Sequence, residues 1–183
     1  MILIGLHGKK RSGKSTVTRY LVEQYGFGEV SFAAPLKRGL ATMLGLDIQD
    51  LERDDLKEAV VPWLGKSPRD MMQTLGTQWG REMVNDRIWI ILAERAMKRH
   101  RALGAAGVIF SDVRFDNEAE AVIGWGGAIW TINRPTLAAG ADNHASERGI
   151  STNLPARGIV NCKGFPDLYK RVDALMDELG ACG

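Results

Sequence analysis

Eight residues, Gly8 to Ser15, read G-x-x-x-x-G-K-S directly behind the apolar run Ile2-Leu3-Ile4-Gly5-Leu6 and ahead of a helical pattern. Strand, glycine loop and helix in that order make a cradle for phosphate. Gly8 and Gly13 let the backbone turn its N–H groups toward an anion, Ser12 lies between them, and the helix that follows presents its positive end to the same charge. Lys14 is placed to reach the β- and γ-phosphates of a nucleoside triphosphate, and Ser15 to ligate Mg²⁺.

Strand and helix patterns alternate along the chain, which predicts a parallel sheet covered by helices. The first helix is expected from Gly13 to Tyr25, stopped by Gly26, and a strand from Glu29 to Ala33. Pro35 opens a second helix carrying Leu36, Leu40 and Met43 on one face. Residues 47–66 are charged and poorly periodic, a connection or short helix. Ser67-Pro68-Arg69-Asp70 gives a capping serine, a proline at the first helical position and an acid three residues beyond the cap, a clear helix start. Helical periodicity resumes over 87–103. Strands are expected at 108–111, 128–132 and 158–161, and helices at 117–124 and 166–179. Residues 134–155 lack periodicity and read as an excursion from the domain.

With 183 residues, one domain spanning 1–183 is expected, large enough to need no disulfide or metal staple. The 24 basic residues against 22 acidic ones give no argument for a stable nucleic-acid partner. Cys162 and Cys182 lack metal-ligand spacing and read as structural or inert. The N-terminus reaches Lys9 after a few apolar residues, so neither a leader nor a spanning helix is expected, no membrane partner is implied, and the location is cytoplasmic.

What receives the phosphate is the next question. A guanine-reading N-K-x-D is missing; Asn161-Cys162-Lys163-Gly164 lacks its acid. A small kinase needs a phosphate loop, a magnesium-orienting acid, an acceptor pocket and a flap. Asp112 follows the apolar run 108–111 and emerges at the carboxyl end of that strand, where open α/β sheets bind ligands. Its alternative role is to cap the next helix. Arg114, two residues on, can offset charge in a loose phosphoryl-transfer transition state or pair with Asp116 or Glu118 on the surface.

The strings KRSGKST, APLK, SPRDMMQTLGT, NDRIW, DVRFDNEAE, INRP and DNHASERG, in this order, resemble the deoxynucleoside monophosphate kinases of tailed bacteriophages. The resemblance frames the chain from Lys10 to Arg148. It implies a three-layer P-loop fold, a central parallel sheet of about five strands flanked by helices, with an acceptor-binding region at 35–88 and a lid at 134–155. It implies transfer of the ATP γ-phosphate to a deoxynucleoside 5′-monophosphate, with ATP and Mg²⁺ required. Lys10, Arg11, Gly13, Lys14, Ser15 and Thr16 match the family's phosphate loop. Lys37 and Arg69 match positions suited to the acceptor phosphate, where arginine's bidentate geometry is favoured. Gln73, Gly76 and Thr77 share that segment as acceptor-pocket residues, Gln73 by hydrogen bonds to a base edge and Gly76 by allowing close approach; Met72 and Leu75 belong to the core. Arg134, His144, Glu147 and Arg148 fall in the lid, the first three as substrate-binding residues. Arg148 is the preferred catalytic contributor there, with Arg11, Lys14, Asp112 and Arg114, and Ser15 and Asp112 hold the metal directly or through water. His144 orders the loop.

Trp79, next to the matched Gly76-Thr77, reads as core, with stacking on a nucleobase as its alternative. His7 and His100 read as structural or exposed. The rival readings are a small P-loop kinase acting on a metabolite hydroxyl and a regulatory ATPase. The partner is a small molecule, and the protein a monomer or homodimer.

Overall fold

The computed structural model describes residues 1–51, 53–136, 149–151 and 153–180. In chain order the elements are β1 Ile2–His7, α1 Lys14–Tyr25, β2 Phe27–Val30, α2 Ala34–Leu44, α3 Asp54–Lys57, α4 Pro68–Gln73, a π-helical segment Thr74–Val84, α5 Ile88–Ala102, β3 Gly107–Phe110, α6 Asp116–Gly124, β4 Ala128–Asn133, β5 Ala156–Val160 and α7 Phe165–Glu178. The chain divides into two compact units, Met1–Ser31 with Glu94–Gly183, and Phe32–Ala93.

The first unit holds the sheet. Its five strands run in the order β2-β3-β1-β4-β5, each parallel to its neighbours. The central β1 pairs Ile4 with Ile109 on one side and Leu6 with Trp130 on the other. Strands buried on both faces must be apolar nearly throughout, which is why Leu3, Ile4 and Leu6 follow one another with only Gly5 between. Ile4, Leu6, Trp130, Ile132 and Ile159 project to the face covered by α1 and α7, which add Val17, Leu21, Leu168, Val172 and Met176. A fully buried aliphatic side chain of this kind contributes about 1.5–3 kcal/mol. α6 packs on β1 and β4. Gly26 ends α1 in the left-handed conformation, with its N–H bonded to the Leu21 carbonyl. Among the described residues no helix is long and apolar enough to cross a membrane.

The second unit is helical. Leu40, Ala41 and Leu51 form its core with Leu44, Leu46, Met71, Met72 and Leu75. Ser67 caps α4 as the sequence requires: its Oγ accepts the Asp70 N–H at 3.2 Å, and Asp70 Oδ2 accepts the Ser67 N–H at 3.3 Å. The Ser67 hydroxyl also donates to Asp70 Oδ2 at 2.8 Å, and this bond, followed by the one from the Ser67 N–H, holds the Asp70 carboxyl below its usual range. Beyond Gln73 the ladder widens to the π register, which continues until the Asn85 N–H closes on the Gly80 carbonyl at 2.9 Å. Trp89 fastens this segment. Its Nε1–H donates to the Gly76 carbonyl at 2.8 Å, and its ring lies where a Cβ on Gly80 would come 2.6 Å from Cζ2.

Several sequence expectations are corrected. The second strand is Phe27–Val30 rather than 29–33, because Phe27 pairs with Gly107 and Ser31 turns away to a side-chain partner. The buried stripe of α2 runs Leu36, Leu40, Leu44, and Met43 is 64% exposed. Trp79 is 45% exposed rather than core. A π turn advances less per residue than an α turn, so by Trp79 the side chain has fallen behind the face that Met72 and Leu75 occupy.

Candidate active site

The loop from Gly8 to Gly13 leaves β1 at the carboxyl edge of the sheet. Gly8 (φ 145°) and Gly13 (φ 117°) both take conformations that side-chain-bearing residues rarely adopt. Neither has room for a Cβ: at Gly8 it would run into the Ile132 carbonyl, and at Gly13 it would lie 2.7 Å from Asn161 Nδ2. Arg11 is the one non-glycine residue of positive φ among the described residues, at 63°. Strain of this kind, about 1–3 kcal/mol, persists where the surroundings over-determine the backbone. The Ser12 N–H closes on the Lys9 carbonyl at 3.2 Å.

α1 begins with no side-chain cap and no acid in its first turn, so its leading N–H groups and the positive end of its dipole are left for an anion. Lys14 Nζ donates to the carbonyls of Gly8 at 2.5 Å and Lys9 at 2.9 Å, folded over its own loop. Ser15 and Thr16 occupy the same first turn, with the Ser15 side chain exposed. Lys10 and Arg11 are exposed on the loop's outer side. A loop with no room for a Cβ at Gly8 and Gly13, a lysine within reach and a hydroxyl at the helix start fit a polyphosphate with a hydrated Mg²⁺, which takes most of its ligands from phosphate and water.

Asp112 follows β3, the neighbour of β1, and its Oδ2 accepts the Ser31 hydroxyl at 2.7 Å. The turn after it is shaped by Glu118, 3% exposed, whose Oε2 accepts the N–H groups of Arg114 at 2.9 Å and Phe115 at 3.3 Å. Arg114 is thus carried on a turn pinned by a buried carboxylate. His7, the last residue of β1, donates from Nδ1 to the Val113 carbonyl at 3.1 Å, joining the loop's base to the same turn. Burial pushes its pKa below the ordinary 6.5, and the nearby Lys14 and Arg114 charges add to the effect. Arg134, just past β4, brings Nη1 to 3.5 Å from the Arg11 carbonyl, and Asp116 Oδ1 accepts the Ser151 N–H at 2.5 Å. Of the lid residues, His144, Glu147 and Arg148 lie outside the described residues.

Phosphate loop, Asp112, Arg114 and Arg134 therefore all belong to the first unit. Lys37, Arg69, Gln73, Gly76 and Thr77 belong to the second. Arg69 Nε donates to Glu58 Oε1 at 2.6 Å. Lys37 sits in the first turn of α2, and its N–H bonds the Ala33 carbonyl at 2.9 Å. Arg69, Gln73, Thr77 and Arg81 recur every four residues and are all partly buried. The space before Gly76 goes to Leu36 Cδ1, 2.9 Å from where a Cβ would stand.

Sequence reasoning passed over Ser31, Glu118, Arg81 and Asn161. Glu118 was legible only as an i+4 partner of Arg114, and Asn161 carried no signal beyond closing an apolar strand.

A parallel sheet of order 2-3-1-4-5 with a phosphate loop leaving its central strand defines a P-loop phosphotransferase of the small kinase type. The sequence model of the deoxynucleotide monophosphate kinase family matches residues 56–172, more than half of the protein, and the chain belongs to that family. A protein of Acanthamoeba polyphaga mimivirus assigned as a deoxynucleotide monophosphate kinase is 35% identical over 190 residues, 97% of each chain. The deoxynucleoside-5′-monophosphate kinase of Escherichia phage T5 is 43% identical over 54 residues, 30% of this chain and 20% of that one. TT1252 from Thermus thermophilus shares the fold at a TM-score of 0.52 and 19% identity over 97% of both chains. A Chloroflexus aurantiacus protein assigned as a kinase shares it at 0.52 and 15% identity, over 100% of this chain and 97% of that one. The protein is an ATP-using kinase with a small nucleotide substrate.

Proposed function

We propose that the protein transfers the γ-phosphate of Mg·ATP to a deoxynucleoside 5′-monophosphate, giving the diphosphate and ADP, and so supplies precursors for DNA synthesis. The observation that carries this reading is the phosphate loop, with no room for a Cβ at Gly8 and Gly13 and with Lys14 folded onto it, in a chain of the deoxynucleotide monophosphate kinase family.

In this reading the loop N–H groups, Lys14 and the start of α1 hold the donor phosphates. Ser15 and Asp112 would hold a Mg²⁺, directly or through water, which would supply positive charge to the phosphates. Arg11, Arg114 and the lid's Arg148 offset charge on the transferring group, Arg134, His144 and Glu147 bind substrate, and His144 also orders the lid. Phosphoryl transfer asks for positioning and positive charge more than for a proton-accepting base. The unit Phe32–Ala93 serves as the acceptor-binding region, with Lys37 and Arg69 on the acceptor phosphate and Gln73 and Thr77 toward its base and sugar.

The test is ADP formation from Mg·ATP with each deoxy- and ribonucleoside monophosphate separately, beside a no-acceptor control. Stimulation by deoxynucleotides supports the reading and gives the base range. ATP hydrolysis indifferent to every monophosphate refutes it in favour of another acceptor.

A further inference from the structure

Ser12 and Asn161 lie almost a chain length apart, yet Asn161 Nδ2 donates to the Ser12 carbonyl at 2.8 Å in a buried setting. Asn161 stands one residue past β5, and its own N–H donates to the Asn133 carbonyl at 2.8 Å, so the parallel ladder with β4 continues through it. The residue is 8% exposed. Because a carbonyl only accepts, the amide must present its nitrogen here, which fixes its orientation. The same nitrogen lies against Gly13, where no Cβ fits.

The bond acts on the buried face of the loop. In a planar trans peptide the C=O and the following N–H point opposite ways. Drawing the Ser12 carbonyl outward onto Asn161 therefore turns the Gly13 N–H inward, toward the space where a phosphate oxygen is held. We infer that Asn161 is a positioning residue for the donor nucleotide, anchoring the Ser12–Gly13 peptide so that its N–H faces the phosphates.

This rests on the loop being the ATP-phosphate site. Its mark is selectivity for the donor: the anchor belongs to the loop and to β5, both in the first unit, whereas the proposed acceptor residues belong to the second.

The experiment compares wild type, Asn161→Ala and Asn161→Asp in equilibrium Mg·ADP binding and in steady-state kinetics with each substrate varied, from pH 5 to 8. Asn161→Ala is expected to weaken Mg·ADP binding and raise the ATP KM about tenfold, with the acceptor KM unchanged. Asn161→Asp is expected to be worse at pH 8, where a carboxylate faces a carbonyl oxygen. It should recover relative to wild type toward pH 5, as the protonated carboxyl regains a donor. A role in stability alone would lower the melting temperature and the fraction of active protein while leaving both KM values and the relative pH profile in place, and that result overturns the inference. Wild type that fails to bind Mg·ADP would remove the phosphate-loop reading and the inference together; wild type that binds with both variants equal to it removes the inference alone.

Discussion

Ser31 Oγ donates to Asp112 Oδ2 across 2.7 Å, tying together the carboxyl ends of two neighbouring parallel strands. One oxygen of the acid is thereby directed by a hydroxyl that carries no charge of its own, and the carboxylate is held at the sheet edge beside the phosphate loop. Asp112→Asn is expected to lower kcat by about a hundredfold or more, and Ser31→Ala by about three- to tenfold, with little change in melting temperature for either. Equal activity of Asp112→Asn and wild type in the ADP-formation assay would remove Asp112 from the site.

Lys14 Nζ donates to the Gly8 and Lys9 carbonyls, and in the proposed function a triphosphate takes the place of these acceptors. Lys14→Ala is expected to lose at least about a thousandfold in kcat/KM while unfolding within about 0.5 kcal/mol of wild type. Thermal denaturation beside turnover separates the two effects, and retained turnover places the phosphates elsewhere.

Arg69 is 19% exposed at its side chain and directed by Glu58. Its fork geometry suits a phosphate monoester in a way that a lysine's point charge does not. Arg69→Lys should raise the acceptor KM about tenfold and leave the ATP KM unchanged. A matching rise in the ATP KM would move Arg69 out of the acceptor role.

His7 titrates below 6.5 in the folded chain because it is buried. The unfolded chain thus takes up a proton first as pH falls through about 6.5, and stability drains away below that point. Lys14 and Arg114 deepen the effect and Asp116 opposes it. The melting temperature of His7→Gln should fall less steeply than that of wild type between pH 7 and pH 5. Parallel curves would show that His7 does not contribute to the acid limb.

Trp89→Phe deletes the donor to the Gly76 carbonyl together with the outer indole atoms that lie over Gly80. The Gly76 carbonyl keeps its main-chain partner, so the lost hydrogen bond costs about 0.5–1.5 kcal/mol, or about 1–6 °C in melting temperature for a chain of this size, and the vacated ring space adds to it. Hydrogen exchange of the amides in 74–84 should rise with it. An unchanged exchange rate there would show the π register to be self-sustaining.

The sequence made some elements plain and hid others for physical reasons. The phosphate loop was legible because its φ angles and lack of Cβ space restrict the residues allowed, and the start of α4 because Ser67 and Asp70 satisfy each other's backbone locally. The π-helical segment was not, since an apolar pattern is read against the α period. Glycines at 76 and 80 were its only trace, and what they admit, Leu36 and Trp89, comes from elsewhere in the chain. Ser31 and Asn161 were invisible for a related reason. Each bonds a residue more than eighty positions away, and a lone serine or asparagine next to a strand carries no period to betray it.

The strand that launches the phosphate loop packs on α1 directly behind it, but its partners in the sheet lie far along the chain. Its neighbours β3 and β4 begin at Gly107 and Ala128, and the Ser12 anchor waits for Asn161. At elongation rates of roughly 5–20 residues per second, Asn161 follows Ser12 by about seven to thirty seconds. Anchoring of the Ser12 carbonyl is thus a late event in the life of the nascent chain. A ribosome stalled before Asn161 would release a product with every phosphate-loop residue present and its anchor missing.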